Sequence, residues 1–178
     1  MRRMLGLLRD DKGSTTVEFA LVGLMFIMAL LFTMGVAQTL YYNQKLDFAV
    51  EKAARDIIVG NSQKSNPPPT LAAFTQTLCA ILPSSISCDD LIVNLYVVNG
   101  SYYSYVNSDQ SGLSIPNLTP GSGQFTLGTQ GQYQYLQVIY PVTFLPSFVT
   151  NLIASQATYK GQPAYLMIST AAFRVEQY

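Results

Sequence analysis

The stretch FALVGLMFIMALLFTMGVA, from Phe19 to Ala37, decides the architecture of this 178-residue chain. It contains no charged side chain, and the uncharged run continues to Gln44. Nineteen helical residues at ~1.5 Å each span roughly 28 Å, close to the hydrocarbon thickness of a bilayer. The pattern predicts a transmembrane helix. Gly23 and Gly35 suit that solvent, because small residues let membrane helices approach a neighbour closely. Two other readings share the pattern. One is a helix buried in a protein core, although such runs are usually shorter. The other is a cleaved secretory signal with Gly35-Val36-Ala37 before a cut at Gln38, although its apolar region would exceed the usual ~7 to 15 residues.

The flanks set the orientation. Arg2, Arg3, Arg9, Lys12 and the amino group precede the apolar run, whereas Lys45, Lys52 and Arg55 follow it. The bias favours a cytoplasmic amino terminus and a translocated carboxyl-terminal part. Beyond the run, Leu46, Val50, Ala53 and Ile57 recur at helical spacing, with Asp47, Glu51, Lys52, Arg55 and Asp56 largely between them. Glu51 with Arg55 and Lys52 with Asp56 are opposite charges four apart, each worth about 0.3 kcal/mol on an exposed helix face. No proline interrupts Thr15 to Val59, and Gly60 is placed to end the helix. One rod over residues 14–60 is expected, half of it (about 19–37) in lipid and half supporting a head. Residues 61–69, which end in three prolines, form a linker.

From residue 70 the pattern predicts an α+β head, 70–178. Thr70 is placed to cap a helix over Leu71–Leu82 before Pro83. Strands are expected at Leu91–Asn99, Gln132–Phe144 and Leu166–Val175, with a short helix at Pro146–Ala154. Residues Asn107–Gly131 read as a long Ser-, Gly- and Asn-rich loop holding at most one short strand. In the second strand, Tyr133, Tyr135, Gln137 and Ile139 alternate with Gln134, Leu136, Val138 and Tyr140, so both faces are expected to be partly covered. Pro141 argues for an edge position or a break. The fold class is therefore α+β: a long amino-terminal helix, transmembrane then amphipathic, with a small antiparallel sheet.

Composition narrows the chemistry. Thirteen of the 20 charged residues lie in the first 56 positions, which leaves no basic footprint for nucleic acid in the remainder. Histidine is absent, so neither a Ser-His-Asp nor a Cys-His pair is possible. No glycine loop cradles a phosphate, and no enzyme activity, cofactor or metal site is expected. Asp89 and Asp90 read as a solvated turn or cap, with a cation as the alternative. Cys79 and Cys88 are the only cysteines. An even count in a translocated domain favours a disulfide, and two buried free thiols are the alternative. The twelve tyrosines suit adhesion where exposed and packing where they sit in strands.

At the junction with the apolar run stands Lys12-Gly13-Ser14-Thr15-Thr16-Val17-Glu18-Phe19. A carboxylate at the margin of a bilayer is costly without a role. One role is local: Thr15-x-x-Glu18 spells a capping box. The conjunction of a charged leader, Gly13, Glu18 five positions later and an immediate apolar helix resembles a class III signal cut by prepilin peptidases. More closely, Gly13 to Val22 resembles the start of TadE-like proteins, minor pilins (pseudopilins) of the tight-adherence (Tad/Flp) type IV pilus system. Ser14 stands where many classical type IV pilins open with phenylalanine, and the head is larger than the very short major pilin of that system. The resemblance implies a leader, 1–13, removed between Gly13 and Ser14 on the cytoplasmic side. It implies that Glu18 and Phe19 take part in assembly, with the prepilin peptidase, other pilin subunits, the pilus assembly platform and the lipid bilayer as partners. The implied location is the bacterial inner membrane, single-pass with the head exported, and then a surface pilus. The alternative function is an anchored binding or adhesion module never built into a fibre.

Overall fold

The computed structural model describes residues 14–107, 113–115, 117–143, 145 and 157–176. Its dominant element is one α-helix, α1, Ser14–Ile58. Gly60 ends it as the rod reading requires. Its φ of 77° lies in the left-handed region that glycine enters without a Cβ penalty, and its N–H donates to the Ile57 carbonyl at 3.1 Å. A single turn, α2 (Asn61–Lys64), leads toward the prolines. The chain divides into two compact units whose boundary falls within α1, one through Leu40 and one from Tyr41 onward.

In the first unit α1 is apolar all round. Val17, Phe19, Leu21, Phe26, Leu31 and Met34 are among its exposed side chains, and none of the most apolar window is buried. Water is the wrong solvent for such a surface. Among the described residues this is one helix long and apolar enough to cross a membrane, which supports single-pass anchoring of the chain.

The second unit follows different rules. Leu46, Val50, Ala53 and Ile57 are buried as their spacing predicts, joined by Ala49 and Ala54. The exposed charges do not close into the expected pairs: Glu51–Arg55 and Lys52–Asp56 form no ion pair. At about 0.2–0.5 kcal/mol per pair, that attraction scarcely offsets the entropy of fixing two long side chains. Helix α3 spans Leu71–Cys79, and the Thr70 hydroxyl accepts from the Ala73 N–H at 3.3 Å. It is shorter than the expected Leu71–Leu82. Ile81 and Leu82 donate three residues back, to Leu78 and Cys79, which tightens the chain out of the α-helical path before Pro83.

Three strands form the main sheet in the order β1-β2-β5, all antiparallel: β1 is Ile92–Val97, β2 is Tyr133–Val142 and β5 is Tyr165–Arg174. Each lies within one or two residues of its expected span. Pro141 sits in the central strand, yet β1 begins opposite Ile139, so at Pro141 the strand pairs on one side alone, with Leu166. There its missing N–H costs no ladder bond toward β1. One face of the sheet, with Leu95, Leu136, Val138 and Met167, shares the main core with α1 and α3. The other face, with Ile92, Ile139 and Ile168, is closed by Leu118 and by Tyr159.

Cover on both faces was expected, but the hairpin that supplies part of the second was not. Strands β3 (Thr158–Tyr159) and β4 (Gln162–Pro163) make a hairpin whose two-residue turn, Lys160-Gly161, has positive φ at both positions, 50° and 77°. A turn of that hand matches the twist of paired strands. Tyr159 donates its hydroxyl to Asp90 Oδ1 at 2.8 Å, and Lys160 Nζ meets the same oxygen at 2.7 Å. Asp89 and Asp90 therefore belong to a 3-10 turn, Cys88–Asp90, that holds the hairpin. The Lys160 ammonium, ahead of the opposing effect of burial, holds the Asp90 carboxyl below its ordinary range.

The loop Asn107–Gly131, among its described residues, contributes isolated bridges and no ladder strand. It packs closely all the same. Gln124 and Thr126 bond to both backbone groups of Leu95, and the buried amides of Asn94, Gln134 and Gln137 bond to Gln124 N, Thr126 O and Ser114 O. The region expected to hold a helix at Pro146–Ala154 lies outside the described residues.

Candidate functional site

The site with the richest chemistry in the sequence is the amino-terminal end of α1. Gly13 and the leader before it lie outside the described residues. Ser14 and Thr15 are already helical. An N-cap residue needs non-helical backbone, so Thr15 does not occupy the capping position and the capping-box reading of Glu18 loses its premise. Glu18 lies one helical turn after Ser14, about 6 Å along the axis. It is exposed, as is Phe19 at 79%. The helix therefore sets the Glu18 carboxylate and the Ser14 backbone nitrogen one turn apart on the same face, with the exposed Phe19 next in sequence.

Toward Leu40 the surface stays apolar, and its hydroxyls are turned inward. Thr33 and Thr39 donate to the carbonyls of Ala29 and Gly35, one turn back, and so present little polarity outward. At Gly23 and Gly35 an added Cβ would meet nothing within 4 Å. Both positions are open to a neighbouring helix.

Cys79 and Cys88, in the second unit, are joined in a disulfide, with their Cα atoms 5.8 Å apart. The bond links the end of α3 to the turn that carries Asp90, just before β1. Its role is to close the head.

Sequence reasoning missed a second feature of the head. The tyrosines of β1, β2 and the 3-10 turn Tyr102–Tyr105 form one aromatic group: Tyr105 lies 4.8 Å from Tyr135 and 5.1 Å from Tyr96, ring centre to ring centre. Tyr96 and Tyr135 are directly opposite in the β1–β2 register, which is legible once that register is known.

Residues 13–55 match the family model described as TadE-like protein. The match runs from the glycine of the junction through α1 to Arg55, and it leaves the sheet uncovered. The family recognised at Gly13 to Val22 is thus matched over a longer segment, and it points to a structural, Tad pilus-associated component. No curated protein and no solved structure matches the chain.

Proposed function

We propose that this chain is a minor pilin of a tight-adherence pilus, cut by a prepilin peptidase after Gly13 and then assembled through α1 while its disulfide-closed head is displayed outside the membrane. The observation that carries the reading is the family match over residues 13–55, which joins the junction glycine to the entire apolar surface of α1. A helix that is apolar all round suits lipid and suits a bundle of like helices equally well. Cleavage exposes a new amine at Ser14. In the bundle, Glu18 pairs with the Ser14 amine of its own or a neighbouring subunit, and that pairing specifies helix register. The head stays outside the inner membrane throughout.

Amino-terminal sequencing and intact mass of the membrane-extracted protein test the reading. With an active prepilin peptidase present, the mature chain should begin at Ser14, and Gly13→Val should leave the precursor intact. A mature protein that begins at Met1, or at Gln38, rejects it.

A further inference from the structure

The head carries an exposed aromatic surface within the unit that begins at Tyr41. Tyr105 stacks on Tyr135 and meets Tyr96 at a tilt, and so fixes the turn Tyr102–Tyr105 against the sheet. Held in that turn, Tyr102 is 36% exposed and Tyr103 is 79% exposed. Tyr102 meets Tyr133 edge-on, ring centres 6.4 Å apart, and Tyr133 is itself 50% exposed. The guanidinium of Arg174 lies over the Tyr133 ring, 5.5 Å from its centre. Its Nε donates to the Gly131 carbonyl at 2.8 Å, which leaves the two terminal amino groups to act outward. Among the described residues no carboxylate pairs with it. The surrounding segment, Asn99-Gly100-Ser101-Tyr102-Tyr103-Ser104-Tyr105, has the Tyr, Ser, Gly and Asn composition that recognition loops use, with rigid rings for area and small polar groups for adaptable hydrogen bonds.

We propose that Tyr102, Tyr103, Tyr133 and Arg174 form a shallow recognition platform for an acidic oligosaccharide. Area separates this ligand from a protein partner. At their observed exposures the three tyrosines offer on the order of 300 Å², taking ~150–250 Å² for a whole aromatic side chain. A stable protein interface needs ~800 Å² on each side. An area of that order covers a few sugar rings, whose C–H faces stack on aromatic faces and whose hydroxyls meet the Tyr and Ser hydroxyls. Charge supplies the rest: an arginine that pairs with no carboxylate among the described residues takes a ligand carboxylate in two parallel hydrogen bonds. The platform goes beyond the assembly role and does not depend on it, since it lies entirely within the unit that begins at Tyr41.

The test uses the full chain in lipid nanodiscs, which avoids sugar-headed detergents, titrated with oligogalacturonate and, as neutral control, with a cello-oligosaccharide of equal length. Calorimetry and saturation-transfer NMR should show saturable binding with a preference for oligogalacturonate. Tyr133→Ala should weaken it on the order of tenfold, and Tyr133→Phe should restore it. Arg174→Gln should abolish the preference for the acidic sugar and the salt dependence of binding together. Tyr103 is mostly solvent-exposed, so Tyr103→Ala tests the platform without endangering the fold, and it should weaken binding too. Absence of saturable binding to either sugar by the wild type overturns the proposal, as does wild-type affinity in Tyr103→Ala and Tyr133→Ala. Equal binding of both sugars overturns the acidic assignment. Retention of a partner protein by the wild type but not by Tyr103→Ala, with both sugars inert, overturns it in favour of a protein interface.

Discussion

Replacing Gly123 with alanine tests whether the long loop before β2 is a structural part of the sheet. An added Cβ would stand 2.0 Å from the Val93 carbonyl oxygen and 2.9 Å from Asn94 Oδ1. The first of these is backbone in a buried strand and cannot swing aside, so the loop must lift. Lifting breaks two backbone bonds, Leu95 N–H to Gln124 O (2.7 Å) and Thr126 N–H to Leu95 O (3.0 Å). It also strips Asn94 Oδ1, on a side chain that is 1% exposed, of the Gln124 N–H. Two hydrogen bonds at about 0.5–1.5 kcal/mol each and one orphaned buried acceptor at about 1–3 kcal/mol give about 2–6 kcal/mol. For a head of this size that corresponds to a fall in melting temperature of about 10 °C or more. Gly121→Ala is the control, because its φ of 75° carries the backbone penalty but an added Cβ there meets nothing within 4 Å. It should cost about 1–2 kcal/mol. Thermal melts of the full chain in nanodiscs, followed by near-ultraviolet circular dichroism of the tyrosines, measure both. A Gly123→Ala protein that melts with the wild type, or no lower than Gly121→Ala, would refute the packing argument.

Glu18→Gln should still insert and still be cut after Gly13, yet fail to prime fibres; normal fibre number at equal expression would remove the ion pair with the Ser14 amine from the mechanism. The paired substitution Cys79→Ser with Cys88→Ser should cost about 2–3 kcal/mol by the loop-entropy model, and neither cysteine of the native, unreduced wild type should be alkylated. Asp90→Asn should lower the melting temperature at neutral pH by loosening the β3–β4 hairpin. Because the folded Asp90 carboxyl is held below its ordinary 3.8, its contribution is present above that pH and is lost as pH falls through the lower, folded value. The wild-type and Asp90→Asn melting curves should therefore converge in acid, and a gap that persists there counts against the carboxylate as the pin.

Helices and strands were legible where one residue type answered to one solvent. Leu46, Val50, Ala53 and Ile57 named the buried face of α1, and Gly60 and Thr70 named a stop and a start because the backbone there needs a left-handed residue and a hydroxyl acceptor. What could not be read was polarity turned inward. Gln134 and Gln137 lie on opposite faces of β2 and carry polar side chains that belong in water, yet both are buried, since each donates to a carbonyl of the loop that covers it. A sequence pattern scores the side chain alone, whereas the partner is the backbone of a segment that looks unstructured. The β3–β4 hairpin escaped for a related reason. Its strands have two residues each and no periodicity, and the one cue was Lys160-Gly161, a weaker turn signal than Asn-Gly. The aromatic group escaped because Tyr96 and Tyr135 meet through strand register, which composition does not encode.

The amino-terminal site was legible for the opposite reason: its meaning lies in the order of residues and needs no tertiary contact. Gly13, Glu18 and the apolar run are read along the chain, and the family match begins at that glycine and ends at Arg55, before the first strand. The structure adds what order alone does not give. With Ser14 and Thr15 already helical, Thr15 does not hold the capping position that the capping-box reading of Glu18 assigns to it. The same helix presents apolar side chains on every side from Val17 to Leu40, so a change from lipid to a bundle of like helices needs no change of rotation and no refolding. What such a change does require is a register. Dispersion among Leu, Met and Phe is nearly indifferent to a slide of one turn, whereas an amine and a carboxylate in low dielectric are not: at ~4 Å and an effective dielectric of ~20 their attraction is about 4 kcal/mol, and one turn of slip, ~5.4 Å along the axis, stretches the pair to ~6.7 Å and removes about 40% of it. In the proposed assembly, a single carboxylate on this largely apolar surface would therefore favour one stacking of helices over a slip of one turn.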